Sequence, residues 1–315
     1  MKKMLFFVNP NAGNSGIRAY LLEVLQLFCN GGYEVRVHTT TGPKEITRMI
    51  AEEGGNYDMI VVSGGDGTLN EAVSGLMLLE QPPTLGYIPA GTVNDMASSL
   101  RLPMHPVEAA RIIVNGEDMP LDTATLNGRP YVYVAAFGAF TDVSYATPQD
   151  MKKVFGKIAY LLEGVKALTG IKPIHAKVTA DGFEEEGDYL FGMMCSTTSV
   201  GGFRSKALQK KLDISLNDGL SEVIFVKNIK SIWSLNEAAA QAIQMNFTDP
   251  KYFLYLHTDN LRIEFDQEVA WTIDGENGGQ HQNVELLNHH RAIRIRVPGT
   301  TATSVASEIS VSQAE

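Results

Sequence analysis

The chain has 315 residues, enough for two domains at about 150 residues each. Apolar residues make up 44% and charged residues 20%, which excludes a disordered or fibrous chain. With 26 Lys and Arg against 36 Asp and Glu, the formal net charge of −10 excludes nucleic-acid binding over a broad surface, because that needs a basic face. Two cysteines, Cys29 and Cys195, cannot build a disulfide framework, and no Cys/His spacing suggests zinc, so a reducing cytoplasm fits best. The opening MKKMLFFVNP is too short an apolar run for a secretory leader. No stretch reaches the roughly 18 apolar residues of a membrane helix, and the nearest, Tyr131 to Phe140, is about half that length. The expectation is a soluble protein, at most peripheral to a membrane.

The first part of the chain alternates strand and helix patterns. Met4–Val8 reads as a short buried strand. Ile17–Phe28 follows with Leu21, Leu22, Leu25 and Phe28 on one helical face. Tyr33–Thr39 alternates like a strand, and Pro43–Glu53 reads as a helix with Pro43 in its first turn. Asp58–Ser63 is an apolar strand, Thr68–Leu79 the helix after it, Leu85–Ile88 a further strand and Val107–Val114 a further helix. Repeated β-α units of this kind predict an α/β domain with a doubly wound parallel sheet, whose ligands sit at the carboxyl ends of the strands.

After about Asp122 strand-like alternation dominates, in Tyr131–Ala135, Ala176–Thr179, Tyr189–Met193, Glu222–Val226, Leu261–Phe265 and Ile293–Val297. Asp181-Gly182, Asp218-Gly219 and Asp274-Gly275 supply turn signals. Helical stretches interrupt at Met151–Ala167 and at Ser231–Phe247, the second with an apolar stripe of Ile232, Leu235, Ala239 and Ile243. The pattern predicts a mainly antiparallel β-sandwich as a C-terminal domain. The expected division is 1–122 for the first domain, 123–297 for the second, and 298–315 for a tail rich in Ser, Thr and Ala that is either frayed or packed back on the first domain.

Three loops carry chemistry. Ser63-Gly64-Gly65-Asp66-Gly67-Thr68-Leu69-Asn70-Glu71 follows an apolar strand and opens a helix. Its glycines let backbone N–H groups approach an anion, and the helix N-terminus adds partial positive charge. Asp66 repels a phosphate unless Mg²⁺ lies between them. An ordinary glycine turn is the competing reading. Asn9-Pro10-Asn11-Ala12-Gly13 follows the first strand, and Pro89-Ala90-Gly91-Thr92-Val93-Asn94-Asp95 the fourth. Each is a weak signal alone, but all three converge on one sheet edge and suit a nucleotide. Neither a Walker P-loop nor G-x-G-x-x-G is present. Far along the chain, Trp271-Thr272-Ile273-Asp274-Gly275-Glu276 sets two carboxylates on a turn, either of them suited to a general base or a metal ligand.

NPNAG, SGGDGTLNE, PAGTVNDMA and DGE, in that order, resemble the diacylglycerol kinase catalytic-domain family, and within it the soluble bacterial lipid kinases. The resemblance continues through Val143–Pro148, the Lys-rich helix after it and Asn217-Asp218-Gly219-Leu220, and so covers nearly the whole chain. It implies a nucleotide domain similar to those of phosphofructokinases and NAD kinases, and ATP- and Mg²⁺-dependent phosphorylation of a lipid hydroxyl. Carried over by position, ATP would contact Asn9, Pro10, Asn11, Ala12, Gly13, Thr40, Gly65, Asp66, Gly67, Thr68, Leu69, Asn70, Glu71 and Thr92. Glu276 would be the catalytic base and Asp66 would organise the catalytic Mg²⁺, supported by Asp95 and Asp122. A second, structural Mg²⁺ would be held by Asp218 and the main-chain carbonyls of Ser215 and Leu220.

One departure concerns Asn14, where many family members carry Lys or Arg; Arg18, one turn further on, is the cation placed to reach back. The implied partners are a lipid substrate at a membrane surface and a second copy of the chain, with no nucleic acid. The location is the cytoplasm, transiently at the inner face of the membrane. Two basic clusters suit that surface: Lys152, Lys153, Lys157 and Lys166, and Arg204, Lys206, Lys210 and Lys211. A kinase of another lipid, small alcohol or nucleotide on the same fold, and a non-catalytic ATP- or lipid-binding protein, are the alternatives. The adjacent His289-His290 reads as a surface pair.

Overall fold

A computed structural model describes residues 1–13, 16–138, 172–195, 199–200, 203–204, 215–243 and 246–299. Asn14, the helix expected over 151–167, all lysines of the two basic clusters and most of the tail lie outside the described residues. Of Arg204 only its place in a two-residue strand is described. The chain divides into two compact units, one of Met1–Leu121 rejoined by the chain from Ala292, the other of Asp122–Arg291.

The first unit is built on parallel strands. In chain order it runs β1 (Lys2–Val8), α1 (Ile17–Asn30), β2 (Tyr33–Thr39), α2 (Glu45–Glu53), β3 (Met59–Gly64), α3 (Asp66–Leu76), β4 (Thr84–Pro89), α4 (Asp95–Ser99), α5 (Pro106–Asn115) and the start of β5 (Glu117–Leu126). The sheet order is β4-β3-β1-β2, and the last strand of the chain, β15 (Glu276–Val297), adds Ile295 beside Leu85 of β4. β3 and β4 are buried at every position, which is why both read as unbroken apolar runs. Met4, Phe6 and Val8 of β1 pack with Val24 and Phe28 of α1 and with Ala110 and Ile113 of α5. α2 packs against α3. The helix expected from Pro43 begins two residues later, at Glu45, because Lys44 takes a left-handed backbone conformation with φ of 63°.

The second unit is antiparallel. Its strands are the end of β5, β6 (Arg129–Tyr131), β7 (Val134–Gly138), β8 (Ile174–Ala180), β9 (Phe183–Cys195), β10 (Ser199–Val200), β11 (Phe203–Arg204), β12 (Ser221–Lys227), β13 (Phe253–Thr258), β14 (Asn260–Ile273) and most of β15, with one helix among the described residues, α6 (Ile232–Ile243). β13, β12, β9, β7, β14 and β15 are consecutive neighbours, and β8 pairs with both β9 and β14. The core is aromatic, with Phe137 within 5.2 Å of Phe225 and 5.0 Å of both Phe265 and Trp271, ring centre to ring centre. Gly192 makes room for it, since a Cβ there would lie 2.2 Å from the Phe137 ring. The buried positions of α6 include Leu235, Ala238 and Ala242. The strand expected over Tyr131–Ala135 is broken, with Val132 and Tyr133 separating β6 from β7.

Candidate active site

Parallel register levels the strand ends of the first unit. Val8 lies beside both Thr39 and Ser63, and Gly64 beside Pro89. The chain leaves each strand tied to the next: Asn9 donates its N–H to Ser63 O at 2.9 Å, Thr40 to Val8 O at 3.0 Å, and Ala90 to Gly64 O at 2.7 Å. Asn9, Thr40, Gly65 and Ala90 therefore leave their strands at one edge, the end at which a parallel sheet takes its ligands.

Close packing shapes these loops. Asn9 Nδ2 donates to Thr68 Oγ1 at 2.9 Å, joining the first loop to α3, and Asn9 Oδ1 accepts the Asn11 N–H at 3.0 Å. Gly13 has φ of 50°, and a Cβ there would lie 2.3 Å from the Ala90 carbonyl oxygen. A Cβ on Gly64 would lie 2.3 Å from Thr68 Oγ1, and one on Gly91 2.5 Å from Gly65 Cα. The glycines thus serve loop-to-loop contact as well as leaving amides open to an anion. Arg18 does reach back, donating from Nη2 to the Pro10 carbonyl at 3.1 Å.

Asp66 is the first residue of α3 and half-buried; Asp95 is the first residue of α4 and 2% exposed. Both charges act on the buried Tyr87 phenol. Burial foremost, then the charges of Asp66 and Asp95, push it well above its ordinary range. The Tyr87 hydroxyl lies 3.2 Å from both Gly64 O and Asn94 Oδ1, which share its single proton as acceptors. Asn94, left-handed at φ of 55°, also accepts the Gly91 N–H at 2.9 Å and donates to the Gly91 carbonyl at 2.8 Å. Glu71 turns toward α2, where its carboxylate accepts the Ile46 N–H at 3.3 Å. Glu45 holds the loop after Thr40: the Thr41 N–H at 2.6 Å, then His38 Nε2 at 2.9 Å, lower its carboxyl to about 2. The roles of Tyr87, Asn94 and Glu45 have no sequence signature, because their partners are set by the fold.

In the second unit the expected residues form two groups. Asp122, 3% exposed, accepts the Gly219 N–H at 2.6 Å and the Arg291 N–H at 2.7 Å, and donates its own N–H to Leu216 O at 2.8 Å. It therefore holds the loop that contains Ser215, Asp218 and Leu220. Asp218 is exposed and accepts the Leu220 N–H at 3.1 Å. Asp218-Gly219 is thus a loop turn and not a hairpin tip. His290 braces it from Nε2 to the Asn217 carbonyl at 3.0 Å, while His289 bonds Thr125 Oγ1 at 2.9 Å.

The second group is the β14–β15 turn. Asp274 and Gly275, with φ of 48° and 84°, join Ile273 to Glu276 as a two-residue hairpin. The Asp274 carboxylate accepts the N–H groups of Val132 at 2.7 Å and of Tyr133 and Val134 at 3.0 Å each. Glu276 has 69% of its side chain exposed and lies 3.8 Å from Arg129 Nη2. Arg129, which sequence reading missed, also donates to the Asn277 carbonyl at 2.6 Å.

Comparison with known proteins places the chain among diacylglycerol kinases by similarity. The model of the diacylglycerol kinase catalytic domain matches residues 3–126. A diacylglycerol kinase of Bacillus subtilis (strain 168) is 32% identical over 300 residues, 95% of this chain and 97% of that protein. One from Staphylococcus aureus (strain MRSA252) is 30% identical over 301 residues, 94% of this chain and 93% of that protein. A crystal structure of a diacylglycerol kinase from Bacillus anthracis str. Sterne shares the fold with a TM-score of 0.71 at 23% identity, over 94% of this chain and 97% of that one.

Proposed function

Because the chain belongs to the diacylglycerol kinase catalytic-domain family, we propose that it is a lipid kinase that moves the γ-phosphoryl group of ATP to the free hydroxyl of diacylglycerol, giving phosphatidic acid. The observation that carries this reading is the convergence of the three glycine-containing loops on one edge of a parallel sheet, with Asp66 and Asp95 each opening a helix after such a loop. ATP takes the edge formed by Asn9 to Gly13, Thr40, Gly65 to Glu71, and Thr92. Their backbone amides and the start of α3 bind phosphate oxygens.

The Asp66 carboxylate is a hard oxygen donor of the kind Mg²⁺ takes, with Asp95 in support, and the loop held by Asp122 offers the Asp218 carboxylate and the carbonyls of Ser215 and Leu220. Bound there, Mg²⁺ supplies charge neutralisation at the phosphates from the first site and loop rigidity from the second. Glu276 accepts the proton of the attacking hydroxyl; its exposure on the hairpin supports that role.

In this reading the first unit, Met1–Leu121 with the strand residues from Ala292, is the doubly wound ATP domain, of the kind found in phosphofructokinases and NAD kinases, and Asp122–Arg291 is the β-sandwich lipid domain. No helix among the described residues is long and apolar enough to cross a membrane. In this reading the enzyme meets its lipid by transient contact with the cytoplasmic face of the membrane, alone or with a second copy. Incubation with γ-labelled ATP and a panel of lipids tests the reading. Label recovered in phosphatidic acid is the expected result. Label in another lipid or in a soluble alcohol, or no transfer at all, refutes it.

A further inference from the structure

Two carboxylates flank the β14–β15 turn, and their surroundings differ. Every polar group of Asp274 is engaged with the same three residues. Its carboxylate accepts the N–H groups of Val132, Tyr133 and Val134 at 2.7, 3.0 and 3.0 Å. Its own N–H donates to the Val134 carbonyl at 2.9 Å, and its carbonyl accepts the Tyr133 hydroxyl at 2.8 Å. A carboxylate in this state has no role as a base, because taking up a proton would forfeit charge-assisted bonds from buried main-chain amides. Glu276 has the opposite surroundings, an exposed side chain beside a single cation, Arg129.

The turn links the two. Asp274 is left-handed, a conformation unfavourable for a residue with a Cβ, and the three amides offset that cost. Arg129 pins the carbonyl of Asn277 on the other side of Glu276 at 2.6 Å. The main chain that carries Glu276 is thus fixed before and after it, while its side chain stays free to meet a hydroxyl.

We propose that Asp274 is a positioning residue for Glu276: its carboxylate binds the amides of Val132–Val134 so that the turn delivers the base in one place. The proposal rests on Glu276 being the base. It also gives a function to the break between β6 and β7, since the amides that leave the ladder at Val132 and Tyr133 are those Asp274 receives.

The test uses the full chain with ATP and diacylglycerol in mixed micelles, and the variants Asp274→Asn, Tyr133→Phe, Glu276→Gln and the double variant of Asp274 with Glu276. Asn replaces one acceptor oxygen by a donor that faces an N–H. Displacing a reacting group by about 1 Å costs roughly a hundredfold, so kcat should fall about 10- to 100-fold while KM for ATP stays within about twofold. The inflections of the pH–rate profile should stay where the parent has them. Tyr133→Phe should lower kcat in the same direction by a few fold. In the Glu276→Gln background, Asp274→Asn should cost less than about twofold more, because the residue acts only through the base. A loss that multiplies in the double variant overturns the proposal in favour of a direct role. Unchanged kcat in folded Asp274→Asn and Tyr133→Phe overturns it as well. Parent-like kcat in Glu276→Gln alone instead overturns the base assignment, and the positioning role falls with it.

Discussion

Glu222 lies on β12 with 2% of its surface exposed, and among the described residues its Oε2 has no hydrogen-bond partner. His257 faces it across the strand pair, with Nε2 at 3.7 Å. Burial foremost, with the negative charge of Asp218 acting in the same direction, pushes its carboxyl from 4.5 up to about 8. Between those values the folded chain holds a proton that the unfolded chain releases. Stability is undiminished below the unfolded value, falls as the pH rises, and levels off once the folded carboxyl is also ionised. Glu222→Gln removes the titration while keeping size and polarity. Linkage then predicts that the variant gains on the parent by about 1 kcal/mol at pH 5, about 3 at pH 7 and about 5 at pH 9. Urea unfolding read by tryptophan fluorescence measures this, because Trp271 is fully buried in the second unit's core while Trp233 is 84% exposed. The gap between variant and parent reads the Glu222 carboxyl together with its coupling to His257 and Asp218, while titrations elsewhere cancel. A gap that stays constant within about 1 kcal/mol from pH 5 to pH 9 would refute the reasoning.

Asp66→Asn should lower kcat at saturating Mg²⁺ by about 10²–10³ with the fold intact by circular dichroism; activity within tenfold of the parent rules out its proposed role. Gly91→Ala brings a Cβ within 2.5 Å of Gly65 Cα and 2.7 Å of Asn94 Oδ1, so both loops must shift. Its kcat/KM for ATP should drop at least about tenfold, and a value within twofold would show that the close approach is dispensable. Asp122→Ala strips a charged acceptor from the N–H groups of Gly219 and Arg291. It should destabilise the second unit by about 3–5 kcal/mol in the Trp271 assay, and a loss below about 1 would mean that water replaces the carboxylate.

The β-α alternation of the first unit was legible because its strands are buried on both faces and its helices carry one apolar stripe. The site loops were legible from glycine and their positions after strands. Partners distant in sequence were not. β13 was missed, since FLYLHT mixes buried and exposed positions without alternation. The end of β5 and its Asn127-Gly128 turn into β6 were passed over, although that dipeptide is a strong hairpin signal. Tyr131–Ala135 has the composition of one strand, and only a carboxylate 142 residues after Val132 divides it. The same distance hid the difference between Asp274 and Glu276, two acids one glycine apart.

The first unit draws its last strand from the far end of the chain. Leu85 of β4 pairs with Ile295, and Arg296 bonds the Gly116 carbonyl at 2.7 Å and the Asp118 carboxylate at 3.0 Å. On a ribosome, β1 to β4 emerge first, and roughly 170 residues of the second unit are made before Ala292 appears. At about 5–20 residues per second, that interval lasts on the order of ten to thirty seconds. Throughout it β4, apolar and destined for complete burial, presents an unpaired edge. A chain stopped short of residue 292 keeps all three glycine-containing loops, yet leaves that edge open to pair with another copy of itself.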